Sequence, residues 1–228
     1  KGAILSLLFL VPLFYSLFYL YQKSSQWWWL FGFFFISLFQ LFVILIYPSF
    51  IAPLFNKFTP LEKSDLHQKI SELLKRAQFT AKDIFIMDAS KRSGHGNAYF
   101  TGLGKNKRIV FFDTLLEKLN HQEILAILAH ELGHMKRKHI TKSLVLSFVM
   151  MFCGFFIMGK IAQEDWFYQG HFMTHSSPGV LFLLFIEMTP LYFFWLSPLS
   201  SWLSRKNEFE ADEYAATETS SQNLISGL

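Results

Sequence analysis

Four stretches of this chain run almost without charge over lengths suited to crossing a bilayer: residues 2–21, 30–47, 144–159 and 180–199. At 1.5 Å rise per residue, about 20 helical residues traverse a hydrocarbon core of about 30 Å. A buried core helix is the competing reading of each run, but length and lack of charge favour membrane spans. Composition agrees. The chain is 52% hydrophobic with 28 Phe and 6 Trp, more apolar and more aromatic than an ordinary soluble domain. Trp27, Trp28 and Trp29 stand together after a polar turn, where an interfacial belt is expected. Cys153, the single cysteine, excludes an intrachain disulfide and is expected to pack inertly inside the third run.

Most Lys and Arg fall between residues 57 and 142, and the loop at 162–178 has none. A basic balance can signal nucleic acid, but no aromatic-basic recognition motif accompanies it, so no nucleic-acid partner is expected. The bias instead assigns the basic segment to the cytoplasmic side of a membrane.

That segment has α+β order. A proline-punctuated connector covers residues 49–60. Ser64 and Asp65 open an amphipathic helix with Leu66, Ile70, Leu73 and Leu74 on one face. Strands are expected at 84–87, 97–101 and 108–112, with a hairpin loop at 102–107 joining the last two. A short helix begins at Asp113. Asn120 then caps a further helix, with Glu123 three residues on to complete a capping box.

This last helix carries His130-Glu131-Leu132-Gly133-His134, an H-E-x-x-H motif. Four residues apart on a helix, the two histidines share one face and can reach a single Zn²⁺ at about 2.0–2.1 Å. Glu131 can take the proton of a water activated by the metal. A catalytic zinc needs a third protein ligand as well as an open position. The structural alternative, a surface helix with two solvated histidines, weakens if that ligand can be found.

The acidic stretch Glu208-Phe209-Glu210-Ala211-Asp212 supplies it. Two crossings separate it from His134, so it returns to the same side of the membrane. Glu208 is the better ligand. Asp212, one turn on, is placed to accept the free N–H of a ligand histidine and hold its tautomer. Glu210 is expected to be solvated. His139 lies five residues past His134, off the ligand face, and is expected to be an interfacial histidine. Glu187, an acid within the fourth run, is a functional candidate by default, or else a carboxyl bonded to a neighbouring helix.

Taken together, these motifs resemble the type I CAAX prenyl proteases, integral-membrane zinc endopeptidases of the gluzincin kind. The likeness rests on residues 130–134 and 208–212, with residues 93–100, 53–58 and 107–116 in support, and runs from about residue 47 to 215. The resemblance implies His130, His134 and Glu208 as ligands of one Zn²⁺ and Glu131 as the base. It also implies that Asn97 and Ala98 bind substrate backbone by strand addition. A further histidine and an arginine, which the family places well beyond the second motif, have no counterpart before residue 228. With Lys1 in place of a starting Met, the chain is expected to be a piece of a longer one.

The expected fold is a multi-pass α-helical membrane protein with a zincin-like α+β catalytic domain. Residues 1–47 form two transmembrane helices and residues 48–142 the cytoplasmic-side catalytic domain. Residues 143–200 form two more transmembrane helices, and residues 201–228 supply the third-ligand helix. The expected function is zinc-dependent endopeptidase action on a peptide or protein substrate, foremost CAAX-type C-terminal processing of prenylated proteins. The membrane would be the endoplasmic reticulum in a eukaryote and the inner membrane in a bacterium. A membrane-protein quality-control protease of the same fold keeps every catalytic residue. An intramembrane protease fits less well, because Lys136, Arg137 and Lys138 hold the motif at or outside the interface. A non-enzymatic scaffold leaves the intact Glu131 unexplained.

Overall fold

The computed structural model describes residues 2–91, 94–101 and 107–227, with Tyr192 described by its backbone alone. In chain order the first helices are α1 (Gly2–Lys23), α2 (Trp28–Ile46) and α3 (Ala52–Phe55). Then come β1 (Phe58–Pro60), α4 (Asp65–Arg76), β2 (Asp83–Met87), β3 (Ala98–Thr101) and β4 (Arg108–Phe112). The remainder is helical: α5 (Asp113–Lys118), α6 (His121–Lys136), α7 (His139–Ile161), α8 (Asp165–Gly170), α9 (Pro178–Phe194), α10 (Ser197–Glu218) and α11 (Ser221–Gly227).

The chain divides into two compact units, Lys1–Leu41 with Ser143–Ser200, and Phe42–Lys142 with Ser201–Leu228. In the first, long apolar helices meet over Leu17, Trp28, Phe155, Met158, Leu181 and Phe182, with Phe167 and Tyr168 of α8 closing the same cluster. Among the described residues, three helices are long and apolar enough to cross a membrane: Gly2–Lys23, Ser25–Phe55 and His139–Ile161. The multi-pass membrane fold expected above is thus present.

Several local expectations change. The second run does not stop at Tyr47. It continues through a π-helical turn, Tyr47–Ile51, in which the Ala52 N–H reaches the Tyr47 carbonyl. The wider turn accommodates Pro48, which has no N–H and crowds the preceding turn. The fourth run breaks at Trp195 and Leu196, and α10 restarts at Ser197 with Pro198 in its first turn, a position where the missing N–H costs nothing. Cys153 is exposed on α7 rather than packed. Glu187 is exposed on α9.

In the second unit a mixed four-stranded sheet has the order β1-β2-β4-β3. Strand β1, formed from part of the connector, pairs antiparallel with β2; β2 is parallel to β4, and β3 antiparallel to it. The expected hairpin loop lies largely outside the described residues. Ile109 and Phe111 alternate onto the face that packs against α4 and α6, and Val110 onto the other, against Met87 and Ala89. Ser64 caps α4 as expected. Asn120 and Glu123 form a complete capping box at the start of α6. Residues Ile124 to Ala129 are buried, so α6 runs through the centre of this core and delivers the motif at its far end.

Candidate metal centre

Helix α6 carries His130 and His134 on one face, and α10 brings Glu208 to them. The contact depends on small residues. Gly133 is fully packed against Ala211, whose Cα would lie 2.9 Å from a Cβ on the glycine. Ala211 and Ala215 are completely buried, so the two helix backbones approach closely here.

Three atoms converge as a result. His130 Nε2 lies 3.1 Å from His134 Nε2, and Glu208 Oε2 lies 3.4 Å from the first and 3.5 Å from the second. Four tetrahedral ligands about 2.0–2.2 Å from a zinc ion stand about 3.3–3.6 Å from one another. The spacing therefore suits one such ion, and these three residues could hold it.

The outer partners bear on which atoms face inward. His130 Nδ1 is 2.8 Å from Asp212 Oδ1. A carboxylate can only accept, so Nδ1–H donates and the lone pair of a neutral ring sits on Nε2. If His134 likewise keeps its lone pair on Nε2, two nitrogen lone pairs and a carboxylate oxygen face one another and repel unless a cation lies between them. The donor set thus fits a divalent metal on its own chemistry.

Two expectations fail at this point. His139 is not interfacial: it is buried, and its Nδ1 lies 2.9 Å from His134 Nδ1. Glu210 is not simply solvated: its Oε2 lies 3.1 Å from His139 Nε2. Helical spacing misplaced His139 because α6 and α7 are not continuous. The chain turns at Arg137 and Lys138, the latter in the left-handed region at φ 56°, and His139 opens the next helix. A bond from His139 holds the Glu210 carboxyl below the usual carboxylate range.

Glu131 is half-buried beside His130. Burial pushes its carboxyl above the ordinary value, and the Glu208 carboxylate adds to this while His130 opposes it. Burial, with His130 close by, depresses His134. A cleft of about 320 Å³ opens beside these groups, lined by His95, Asn97, Lys118, His130 and Glu131 among others.

Asn97 and Ala98 lie at the near edge of the sheet, since β3 has no partner strand on its outer side among the described residues. The Phe112 N–H bonds to the Asn97 carbonyl, so antiparallel alternation turns the N–H and C=O of Ala98 toward the free edge. The Ala98 N–H is met there by Asn97 Oδ1 at 2.8 Å.

The sequence model described as Peptidase family M48 matches residues 60–225, and that described as CAAX prenyl protease N-terminal, five membrane helices, matches residues 1–57. The chain is 38% identical over 211 residues to CAAX prenyl protease 1 of Saccharomyces cerevisiae, covering 85% of this chain and 46% of that one. It is 31% identical over 257 residues to CAAX prenyl protease 1 homolog of Taenia solium, covering 100% and 54%. The crystal structure of S. mikatae Ste24p is similar with a TM-score of 0.89 and 35% identity, covering 100% of this chain and 56% of that chain. The chain spans about half the length of the curated relatives it matches.

Proposed function

Because this chain belongs to Peptidase family M48, we propose that it is the metal-bearing part of a zinc-dependent membrane endopeptidase that processes the C-termini of prenylated CAAX-type proteins. The observation that carries this reading is the set of three inward-facing ligand atoms, 3.1–3.5 Å apart, with Glu131 beside them.

In this reading His130, His134 and Glu208 hold one Zn²⁺, and Asp212 fixes the His130 tautomer. The ion supplies Lewis acidity toward the scissile carbonyl and acidifies water. Glu131 is the general base. Its carboxylate takes the proton of the attacking water and returns it to the leaving amine, so peptide and water become acid and amine.

The substrate backbone adds to β3 at Asn97 and Ala98. Its carbonyl replaces Asn97 Oδ1 as the acceptor for the Ala98 N–H, which fixes the peptide in extended form across the cleft. Residues 48–142 and 201–228 form the catalytic part, and residues 1–47 and 143–200 the membrane-embedded part. The Lys and Arg bias supports a cytoplasmic side for the catalytic part, in the endoplasmic reticulum membrane of a eukaryote or the inner membrane of a bacterium.

The test uses the full-length protein, purified in detergent and supplied with a farnesylated CAAX peptide or with an unfolded membrane protein. Metal-dependent cleavage of the prenylated peptide, lost on chelation and restored by zinc, is the expected result. Cleavage of the unfolded protein alone would favour the quality-control reading. Cleavage of neither, with no bound zinc, would overturn the enzyme assignment.

A further inference from the structure

The two proposed histidine ligands have different outer partners. For His130 the partner is direct, the Asp212 carboxylate. For His134 it is a second histidine, His139, which is itself bonded to Glu210. We propose that His139 and Glu210 form a positioning chain that holds His134 in its metal-binding tautomer, an inference that rests on the zinc reading above.

The Glu210 carboxylate accepts, so His139 Nε2–H is the donor at 3.1 Å. A neutral His139 then presents a bare Nδ1, and the His134 Nδ1–H must donate to it at 2.9 Å. The His134 lone pair is left on Nε2, the atom that faces His130 Nε2 and Glu208 Oε2. Reversing any one tautomer would break a bond in the chain or turn an N–H toward the metal position.

Burial makes the chain selective. The His139 side chain is 4% exposed, so water cannot readily replace it, while Glu210 at 26% keeps contact with solvent at the outer end. The rings of His134 and His139 stand nearly edge to face, at 74° with centroids 5.1 Å apart, which leaves the Nδ1 atoms opposed. Three acids of helix α10 thus take three separate roles. Glu208 and Asp212, four apart, share the face toward α6. Glu210 lies between them in sequence on a different face and reaches α7 instead. One helix in one position thereby sets both imidazoles. A carboxylate behind a ligand histidine also raises its basicity, and loss of such a partner typically costs 10–100-fold in metal affinity.

The experiment measures zinc release from the full-length protein to a chelator, with the melting temperature of the metal-free protein alongside. Glu210→Ala and His139→Phe are each expected to release zinc about 10–100-fold faster than wild type. The double variant should release it little faster than either single one, because the two residues act in series. Glu210→Gln, which keeps an acceptor for His139, is expected to fall between Glu210→Ala and wild type. Glu213→Ala, at an exposed acid on the same helix, is expected to match wild type. A purely structural bridge from α10 to α7 would lower the metal-free melting temperature and leave zinc release unchanged, and that result would overturn the proposal. If His139→Phe does not fold, Glu210→Ala at the exposed end decides alone. A wild-type protein that retains no zinc would overturn the reading of the site itself. A wild type that holds zinc while Glu210→Ala releases it at the same rate would overturn the chain only.

Discussion

Gly133 sits against the backbone of Ala211, not its side chain: a Cβ on the glycine would stand 2.9 Å from the Ala211 Cα and 3.0 Å from its carbonyl oxygen. The glycine of the H-E-x-x-H motif is therefore what lets α10 approach α6, and with it what lets Glu208 reach the histidines. Gly133→Ala is expected to push the helices apart, at a cost of about 1–3 kcal/mol for overpacking, and to reduce bound zinc. Ala211→Gly should not rescue it, because the clash is with backbone. Metal content and melting temperature of the single and double variants check this. Rescue by Ala211→Gly would mean that the Ala211 side chain, and not its backbone, limits the approach.

Glu131→Gln tests the proposed base separately from the proposed ligands. The amide keeps the size of the side chain but cannot take a proton. Zinc content is expected to stay at the wild-type level while turnover of a farnesylated CAAX peptide falls by about 10²–10⁴-fold. Unimpaired cleavage would remove Glu131 from the proposed mechanism.

Asp212→Ala removes the acceptor behind His130 and frees that ring to flip. Zinc affinity is expected to fall about 10–100-fold, while Asp212→Asn, which retains an oxygen acceptor, should lose less. Competition with a chelator of known affinity distinguishes the two.

Asp113 supplies a pH-dependent test away from the proposed metal site. Burial alone would raise its carboxyl, but bonds from the Ser90 hydroxyl, the Ser90 N–H and the Thr114 N–H together hold it below the usual range. A carboxyl depressed in the folded state stabilises the fold above its ordinary pKa, and that stabilisation disappears as pH falls through the depressed value. Wild type is therefore expected to melt higher than Asp113→Asn near neutrality, with the difference shrinking in acid. A difference independent of pH would mean that packing, not charge, accounts for the effect.

Much of the architecture is local and can be read along the chain. The uncharged runs, the capping box at Asn120 and Glu123, and the alternation around Ile109, Val110 and Phe111 depend on residues close in sequence. So does the placement of His130 and His134 on one helical face. Boundaries were less legible where a proline acts through geometry: Pro48 is absorbed in a π-turn, and Pro198 starts a new helix where one long run was expected.

What the string of residues determined by itself was which groups are available: two histidines and two acids, each pair at a one-turn spacing. Only the tertiary structure decided how they meet. The approach of α6 and α10 depends on the absence of a side chain at Gly133 and on the small ones at Ala211 and Ala215, a fit between segments far apart in sequence. The partnership of His134, His139 and Glu210 depends on a turn at Lys138 that helical periodicity does not encode. Periodicity describes one helix at a time, whereas a ligand cluster is a property of the packing between helices.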